Sequence, residues 1–375
     1  MSTLGASRRV WTTAVVALAL AVAGCGDAGN PAATASAPGA ETPARNTVFQ
    51  FDSTELAGNL LGASTEIAVG VLLPDAYFTS DEPLPVVYFL PGYTAYSTAA
   101  DMPTILGEAL DRTDPMIVVT ITGANELGGS WYTDSAAMGS WEQAVVSEIV
   151  PYVDAHYRTR ASAGSRGIAG HSMGGYGALA IGMRHADVFG SVFVSSPAVA
   201  GEDGIGDPGL FGSPTDARRV LAAMDNLEGL EGEALLTALS VSPATFPFSY
   251  GAAFAPSSEP PHFRYPYSLI DGEVVRDDDV WELWEAGVGD VDAEIAQHRE
   301  ALLSLGALGL DCGVNDEFRW IVDGCEFIDS ELTAHGVPHV YTVHEGTHVS
   351  LFDERMTEVV VPFFAEAFAA DDVAQ

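Results

Sequence analysis

The stretch Gly170-His171-Ser172-Met173-Gly174, followed by Gly175, constrains this chain more than any other. It fits G-x-S-x-G, a turn that lifts a serine out of the fold between a strand and a helix. Arg166-Gly-Ile-Ala169 precedes it, short and partly apolar like the end of a buried strand. Gly175 to Arg184 follows and reads as a helix rich in small residues. The glycines answer a physical need. The serine occupies a strained backbone position, and side chains two residues away would collide with the neighbouring strand or helix. With 39 glycines in 375 residues the bare pattern arises easily by chance, so distant residues must supply its meaning.

The rest of the chain supplies a frame of alternating elements. Thr47 to Pro74 alternates through Val48, Phe49, Phe51, Ile67, Val69, Val71 and Leu73, the pattern of antiparallel strands. Pro85–Leu90 and Met116–Ile121 are continuous apolar runs, as in strands buried on both faces. Met102–Leu110 reads as a helix between them. Ser140–Tyr157 reads as a long amphipathic helix, with Ser140 and Gln143 as a capping box. Ser191–Ser195 reads as a strand, and alternation resumes from Asp290 with helix, strand (Gly306–Leu310), helix (Glu317–His335), strand (His339–Val343) and a closing helix (Glu354–Ala370). Such alternation implies an α/β fold with a mostly parallel central sheet and helices on both faces. Residues 200–266 break the rhythm. Ser213-Pro214 starts a helix there, and Phe246–Tyr267 reads as an irregular aromatic stretch, so the segment is expected to be an inserted lid or binding loop.

The N-terminus carries export features. Arg8-Arg9 precedes an apolar run from Val10 to Ala23, too short for a permanent membrane span. Val22-Ala23-Gly24-Cys25 resembles a bacterial lipobox, which makes residues 1–24 a signal peptide and Cys25 the lipidated first residue. Residues 25–46 are Ala, Pro, Gly, Ser and Thr with almost no large apolar side chains, a flexible tether ahead of a domain at 47–375. The expected location is therefore the outer side of the cell membrane, with contact to the bilayer only through the lipid, or secretion if the run is an ordinary signal and the cysteine incidental. The formal net charge is −37, and all 15 Lys and Arg positions are Arg. The absence of lysine excludes Schiff-base and phosphate-loop chemistry, and the acidity argues against nucleic-acid partners. Beyond Cys25 only Cys312 and Cys325 remain, compatible with either a disulfide or two buried thiols.

A serine hydroxyl needs a base to take its proton and a carboxylate to orient that base. In the order serine, acid, histidine, each later member sits on a loop at a strand end. Leu308–Asp316 is a strand followed by a turn carrying Asp316, and Val340–His348 a strand followed by a turn carrying His348. Asp311 and Glu317 are rival acids, and His344 is the histidine nearest to the base. An oxyanion requires two aimed donors. The backbone N–H of Met173 is one, and that of Tyr93, in Leu90-Pro91-Gly92-Tyr93, is the other. No metal or organic cofactor is called for.

These residues resemble the esterase D family of α/β-hydrolases, which includes feruloyl esterases, S-formylglutathione hydrolases and secreted mycolyltransferases. Phe89-Leu-Pro-Gly-Tyr-Thr94 is similar to its oxyanion segment, with Pro91 where a histidine is usual. Ser130-Trp-Tyr-Thr-Asp134 is similar to a segment near its acyl pocket, which makes Trp131 and Tyr132 pocket candidates. Gly170–Gly175, Asp311–Asp316 and Gly346–His348 are similar to its elbow, acid and base motifs. The resemblance implies the α/β-hydrolase fold and a serine carboxylesterase acting on a small-molecule, glycan or lipid ester. Other classes fit parts of the sequence. An acyltransferase shares the serine ester intermediate. His344-Glu345-Gly346-Thr347-His348 spells H-E-x-x-H, a zinc hydrolase signature that requires a helix. A non-catalytic surface binding lipoprotein would not need the serine, acid and histidine together.

Overall fold

The computed structural model describes residues 43–374. The expected signal segment and Cys25 lie outside the described residues. Eight strands form one sheet: β1 (Asn46–Asp52), β2 (Glu66–Leu72), β3 (Val86–Leu90), β4 (Ile117–Ile121), β5 (Arg166–His171), β6 (Ser191–Ser195), β7 (Ala307–Gly313) and β8 (Val340–His344). Their spatial order is β1-β2-β4-β3-β5-β6-β7-β8. The pairs β1–β2 and β2–β4 are antiparallel, and every pair from β4 to β8 is parallel. This is the α/β-hydrolase fold. The sheet begins at Asn46, inside the segment expected to be tether. Arg45 already belongs to the domain, since it donates to the Gly107 carbonyl (3.0 Å) and pairs with Asp111 (2.6 Å).

The central strands are apolar throughout because both of their faces are covered. In β3, Val86, Tyr88 and Leu90 enter one core cluster, while Val87 and Phe89 enter the other. The second cluster is closed by α1 (Thr98–Leu110), through Met102, Leu106 and Leu110, and by the C-terminal helix, through Phe364 and Phe368. On the opposite face lies α2, a composite of Trp141–Gln143, a π-helical stretch Ala144–Ile149 and Val150–His156. Beside it runs α3 (Met173–Arg184), of which every residue from Met173 to Met183 is buried.

The capping box expected at Ser140 does not form, for the Ser140 side chain makes no cap bond. Instead Asp134 Oδ1 accepts from the backbone N–H groups of Glu142 (2.9 Å) and Gln143 (3.2 Å). The hairpin strands Asp134–Ser135 and Gly139–Ser140 bring that carboxylate to the helix end from six residues upstream of Ser140.

Between β6 and β7 the insertion is more ordered and longer than the sequence suggests. It holds α4 (Pro214–Met224), α5 (Gly232–Ser240), α6 (Thr245–Phe254) and α7 (Asp278–Glu285). Ser213 caps α4 by accepting from Asp216 N–H. The first part of the aromatic stretch is thus helix α6. Phe248 and Tyr250 are completely buried, so this part of the insertion is core rather than a loose flap. A hairpin, Tyr267–Ile270 paired with Glu273–Arg276, follows α6. Its turn residues Asp271 (φ 52°) and Gly272 (φ 82°) carry a recognised hairpin signal.

Helices α8 (Val291–Gln297) and α9 (Arg299–Ser304) lead back to β7, and α10 (Arg319–Ala334) joins β7 to β8. A disulfide joins Cys312 in β7 to Cys325 in α10. Among the described residues, no helix is long and apolar enough to cross a membrane.

The cap assignment is directly testable. Asp134→Ala should lower stability by about 1 kcal/mol, within the 0.5–2 typical of lost caps, and Ser140→Ala by less than about 0.5. Urea midpoints of the two variants check the contrast.

Candidate active site

The elbow is a steric necessity. Ser172 stands at φ 59° and ψ −122°, between β5 and α3. A Cβ at Gly170 would lie 1.9 Å from the Gly174 carbonyl oxygen, and one at Gly174 would lie 1.8 Å from the Leu90 carbonyl oxygen. No side chain fits at either position. The strained serine costs on the order of 1–3 kcal/mol and persists because its backbone is fixed from several sides. Its N–H donates to Ser195 O (3.0 Å), and its carbonyl accepts from Tyr176 N–H (3.0 Å) and Ala198 N–H (2.9 Å).

Asp316 lies in the turn after β7 and is 2% exposed. His348 Nδ1–H donates to Asp316 Oδ2 at 2.6 Å, and the Phe318 N–H donates to Oδ1 at 2.9 Å. That pairing fixes the tautomer and leaves His348 Nε2 free to accept a proton. The rival acids have other partners. Asp311, fully buried in β7, pairs with Arg355 Nε at 2.7 Å. Glu317 accepts the His348 backbone N–H at 3.1 Å. His344 closes β8 and uses its Nδ1 to accept from Gly346 N–H at 3.1 Å. The H-E-x-x-H stretch is not helical. It leaves the strand at His344 and continues as a bend and turn. The zinc signature therefore lacks the helix face that its two histidines would have to share.

His171 was not singled out in the sequence, yet it touches the base loop. Its Nε2–H donates to the His348 backbone carbonyl at 2.9 Å, and the two rings lie 4.7 Å apart. Burial, reinforced by the positive charge that His348 can carry, lowers its pKa to about 4. It is therefore a neutral donor at ordinary pH.

The loop Pro91–Thr94 lies against the serine, since a Cβ at Gly92 would come within 3.2 Å of Ser172 Cβ. Three contacts hold this loop. Thr94 N–H donates to Gly128 O (2.8 Å), and Tyr93 Oη donates to Leu127 O (2.6 Å). Tyr132 Oη lies 3.0 Å from both Pro91 O and Ile121 O, and accepts from Gly123 N–H at 2.9 Å. Tyr132 is 1% exposed and does not line the cleft where the sequence suggested a pocket residue; it braces the loop from below.

Two clefts meet at Ser172 and His348. One, of about 340 Å³, is bounded by Pro91, Gly92, Thr98, Phe352 and Asp353. The other, of about 430 Å³, is bounded by Tyr93, Met173, Trp131, Leu210, Phe246 and Trp320. Trp131 thus lies at the cleft, in edge-to-face contact with Tyr176, Phe246, Tyr250 and Phe254. Leu210 and Phe318, absent from the sequence-based candidates, also line this cleft. Phe318 is 46% exposed, with its ring 5.1 Å from that of His348. Its proximity to Asp316 in sequence was the available signal.

Comparison with known proteins identifies relatives of part of the chain and neighbours of its fold. Residues 62–242 match the family model described as "Putative esterase". Esterase Rv1288 and Esterase MT1326 of Mycobacterium tuberculosis are each 35% identical over 130 residues, 33% of this chain. The chain spans only 27% of the length of these curated relatives. Among solved structures, a ferulic acid esterase aligns with a TM-score of 0.55 at 20% identity, covering 86% of this chain and 98% of that one. An S-formylglutathione hydrolase from Staphylococcus aureus aligns at 0.50 and 16% identity, covering 85% and 98%. The fluorophosphonate-binding serine hydrolase FphF of the same organism aligns at 0.51 and 16% identity, covering 86% and 99%. At these identities the structures establish the fold.

The buried histidine gives a pH prediction. His171 takes up its proton near pH 4 in the fold and near 6.5 when unfolded. Between these values the unfolded chain binds more protons, so this residue's contribution is full above about pH 6.5 and is lost as pH falls towards 4. Urea midpoints measured at pH 7, 5.5 and 4.5 should fall more steeply for the parent than for His171→Asn.

Proposed function

We propose that this chain, which carries the esterase-family segment on an α/β-hydrolase fold, is a serine-dependent carboxylic-ester hydrolase. The observation that carries the reading is the 2.6 Å contact between His348 Nδ1 and Asp316 Oδ2, with His348 lining the same clefts as Ser172. Ser172 Oγ attacks the ester carbonyl carbon while its proton passes to His348 Nε2. Asp316 holds the imidazolium that results. The carbonyl oxygen becomes an oxyanion and is met by the backbone N–H groups of Met173 and Tyr93. Collapse breaks the carbon–oxygen bond to the alcohol, which leaves with the proton from His348. Water then repeats the sequence on the Ser172 ester and releases the acid, restoring the free hydroxyl.

The rigidity of the site supports this reading. The oxyanion loop is tied down at Pro91, Tyr93 and Thr94 before any substrate arrives. Donors fixed in advance need no reorganisation when charge develops. The esterase family model and the relatives named esterases support a carboxylic ester as the substrate class. Arg8-Arg9, the apolar run to Ala23 and Cys25 support export with a lipid anchor on the outer side of the membrane.

Ser172→Ala should cut turnover of p-nitrophenyl acetate by several orders of magnitude, with residual activity at the level of substrate binding alone. A variant as fast as the parent removes the serine from the mechanism. Asp316→Asn should lower kcat about 10³–10⁴-fold by presenting the wrong tautomer of His348. Asp311→Asn should instead act on the urea midpoint, because it leaves Arg355 without its charged partner.

A further inference from the structure

A second cavity lies away from Ser172. It is a groove of about 810 Å³ between α4, α5 and α6, with walls that include Phe211, Ala217, Val220, Leu227 and Val241. Two of its residues, Leu210 and Phe246, also line the catalytic cleft. Phe246 stands at the boundary. Its ring meets Tyr93 of the oxyanion loop edge-on at 5.3 Å and Trp131 at 5.6 Å, and it stacks on Phe211 of the groove at 6.0 Å. Phe246 and Leu210 are both only partly buried, whereas Phe248 and Tyr250 on the same helix as Phe246 are fully buried. The charged groups at the groove, Asp216 and Arg219, neutralise each other at 2.5 Å on the exposed side of α4.

We infer that this groove seats the aliphatic chain of a long-chain acyl ester, with Leu210 and Phe246 as the partition that sets how much chain passes from the cleft. The inference rests on the ester-hydrolase reading and specifies its substrate. Walls of this kind, apolar apart from Asp216, Arg219, Asn226, Ser242 and Tyr265, reward methylene groups. The acyl rather than the alcohol side is assigned to it by the two clefts at Ser172. The cleft that shares Leu210 and Phe246 with the groove contains Met173, the donor proposed for the acyl carbonyl oxygen, and its apolar lining includes Trp131, Phe318, Trp320 and Ile321. The other cleft carries Thr98 and Asp353, which suit a polar alcohol leaving with the proton of His348. Val241, 77% exposed on the groove wall, extends the apolar path to its outer edge.

The test is a chain-length series. With p-nitrophenyl as the fixed alcohol, kcat/KM should rise about two- to four-fold per added methylene from acetate to at least decanoate. Val241→Asp places a charge on the groove at an exposed position that the fold tolerates. It should lower the ratio of laurate to acetate kcat/KM at least ten-fold, and Phe246→Ala should move the optimum to longer chains. Dansylaminoundecanoic acid should bind to Ser172→Ala and be lost from Ser172→Ala/Val241→Asp, a readout independent of turnover. A profile that peaks at acetate, a preference for methyl ferulate over laurate, or an unchanged ratio in Val241→Asp overturns the groove assignment. Failure to cleave any ester, together with groove-dependent binding of the fatty-acid probe, would overturn the hydrolase reading and leave the groove standing.

Discussion

Everything at the candidate site depends on how closely the backbone of residues 170–174 packs against its neighbours. Hydrogen atoms at positions 170 and 174 let the elbow turn press against its own next turn and against the carbonyl end of β3. That closeness puts Ser172 at a positive φ, at the C-terminal end of β5 and the first turn of α3. It also brings the loop after β3 alongside the serine, with Gly92 near Ser172 Cβ. Ser172 and the loop after β3 are thus two sides of one contact. A larger residue on either side would separate them together.

The second layer converts closeness into rigidity. Tyr132 and Trp131 both occupy left-handed backbone positions, φ 52° and 59°, which turns their side chains inward. Tyr132 reaches beneath the oxyanion loop, and Trp131 gives its indole N–H to Ser249 of α6 at 3.1 Å. The insertion is therefore tied to the site by hydrogen bonding as well as by aromatic packing. Ser249 in turn donates its hydroxyl to Gly129 O at 2.7 Å, closing a buried chain of polar contacts. Such a chain, fully satisfied, fixes one arrangement of the cleft wall.

The features legible in the sequence were those encoded locally. Gly170–Gly175 announces the elbow because strand, turn and helix are adjacent in the chain. Asp316 and His348 were legible because each follows an apolar strand by a few residues. What escaped was decided by tertiary contact. Asp134 caps α2 because a short hairpin delivers it there, while Ser140, in the expected position, makes no cap bond. Helix α6 was read as irregular because it is apolar on nearly all sides, and a helix buried all round shows no stripe. Its Phe, Tyr and Gly content also gives weak intrinsic helix preference. His171 looked like a spacer in the elbow motif, and only the folded chain brings its ring to the carbonyl of residue 348.

The bond between Cys312 and Cys325 spans 13 positions, and Asp316 lies inside the ring it closes. The carboxylate that orients the imidazole is thus carried on a covalent loop rather than on a free turn. The turn that holds Asp316 is thus closed twice, covalently by the Cys312–Cys325 bond and by the hydrogen bonds of Asp316 to Phe318 N–H and His348.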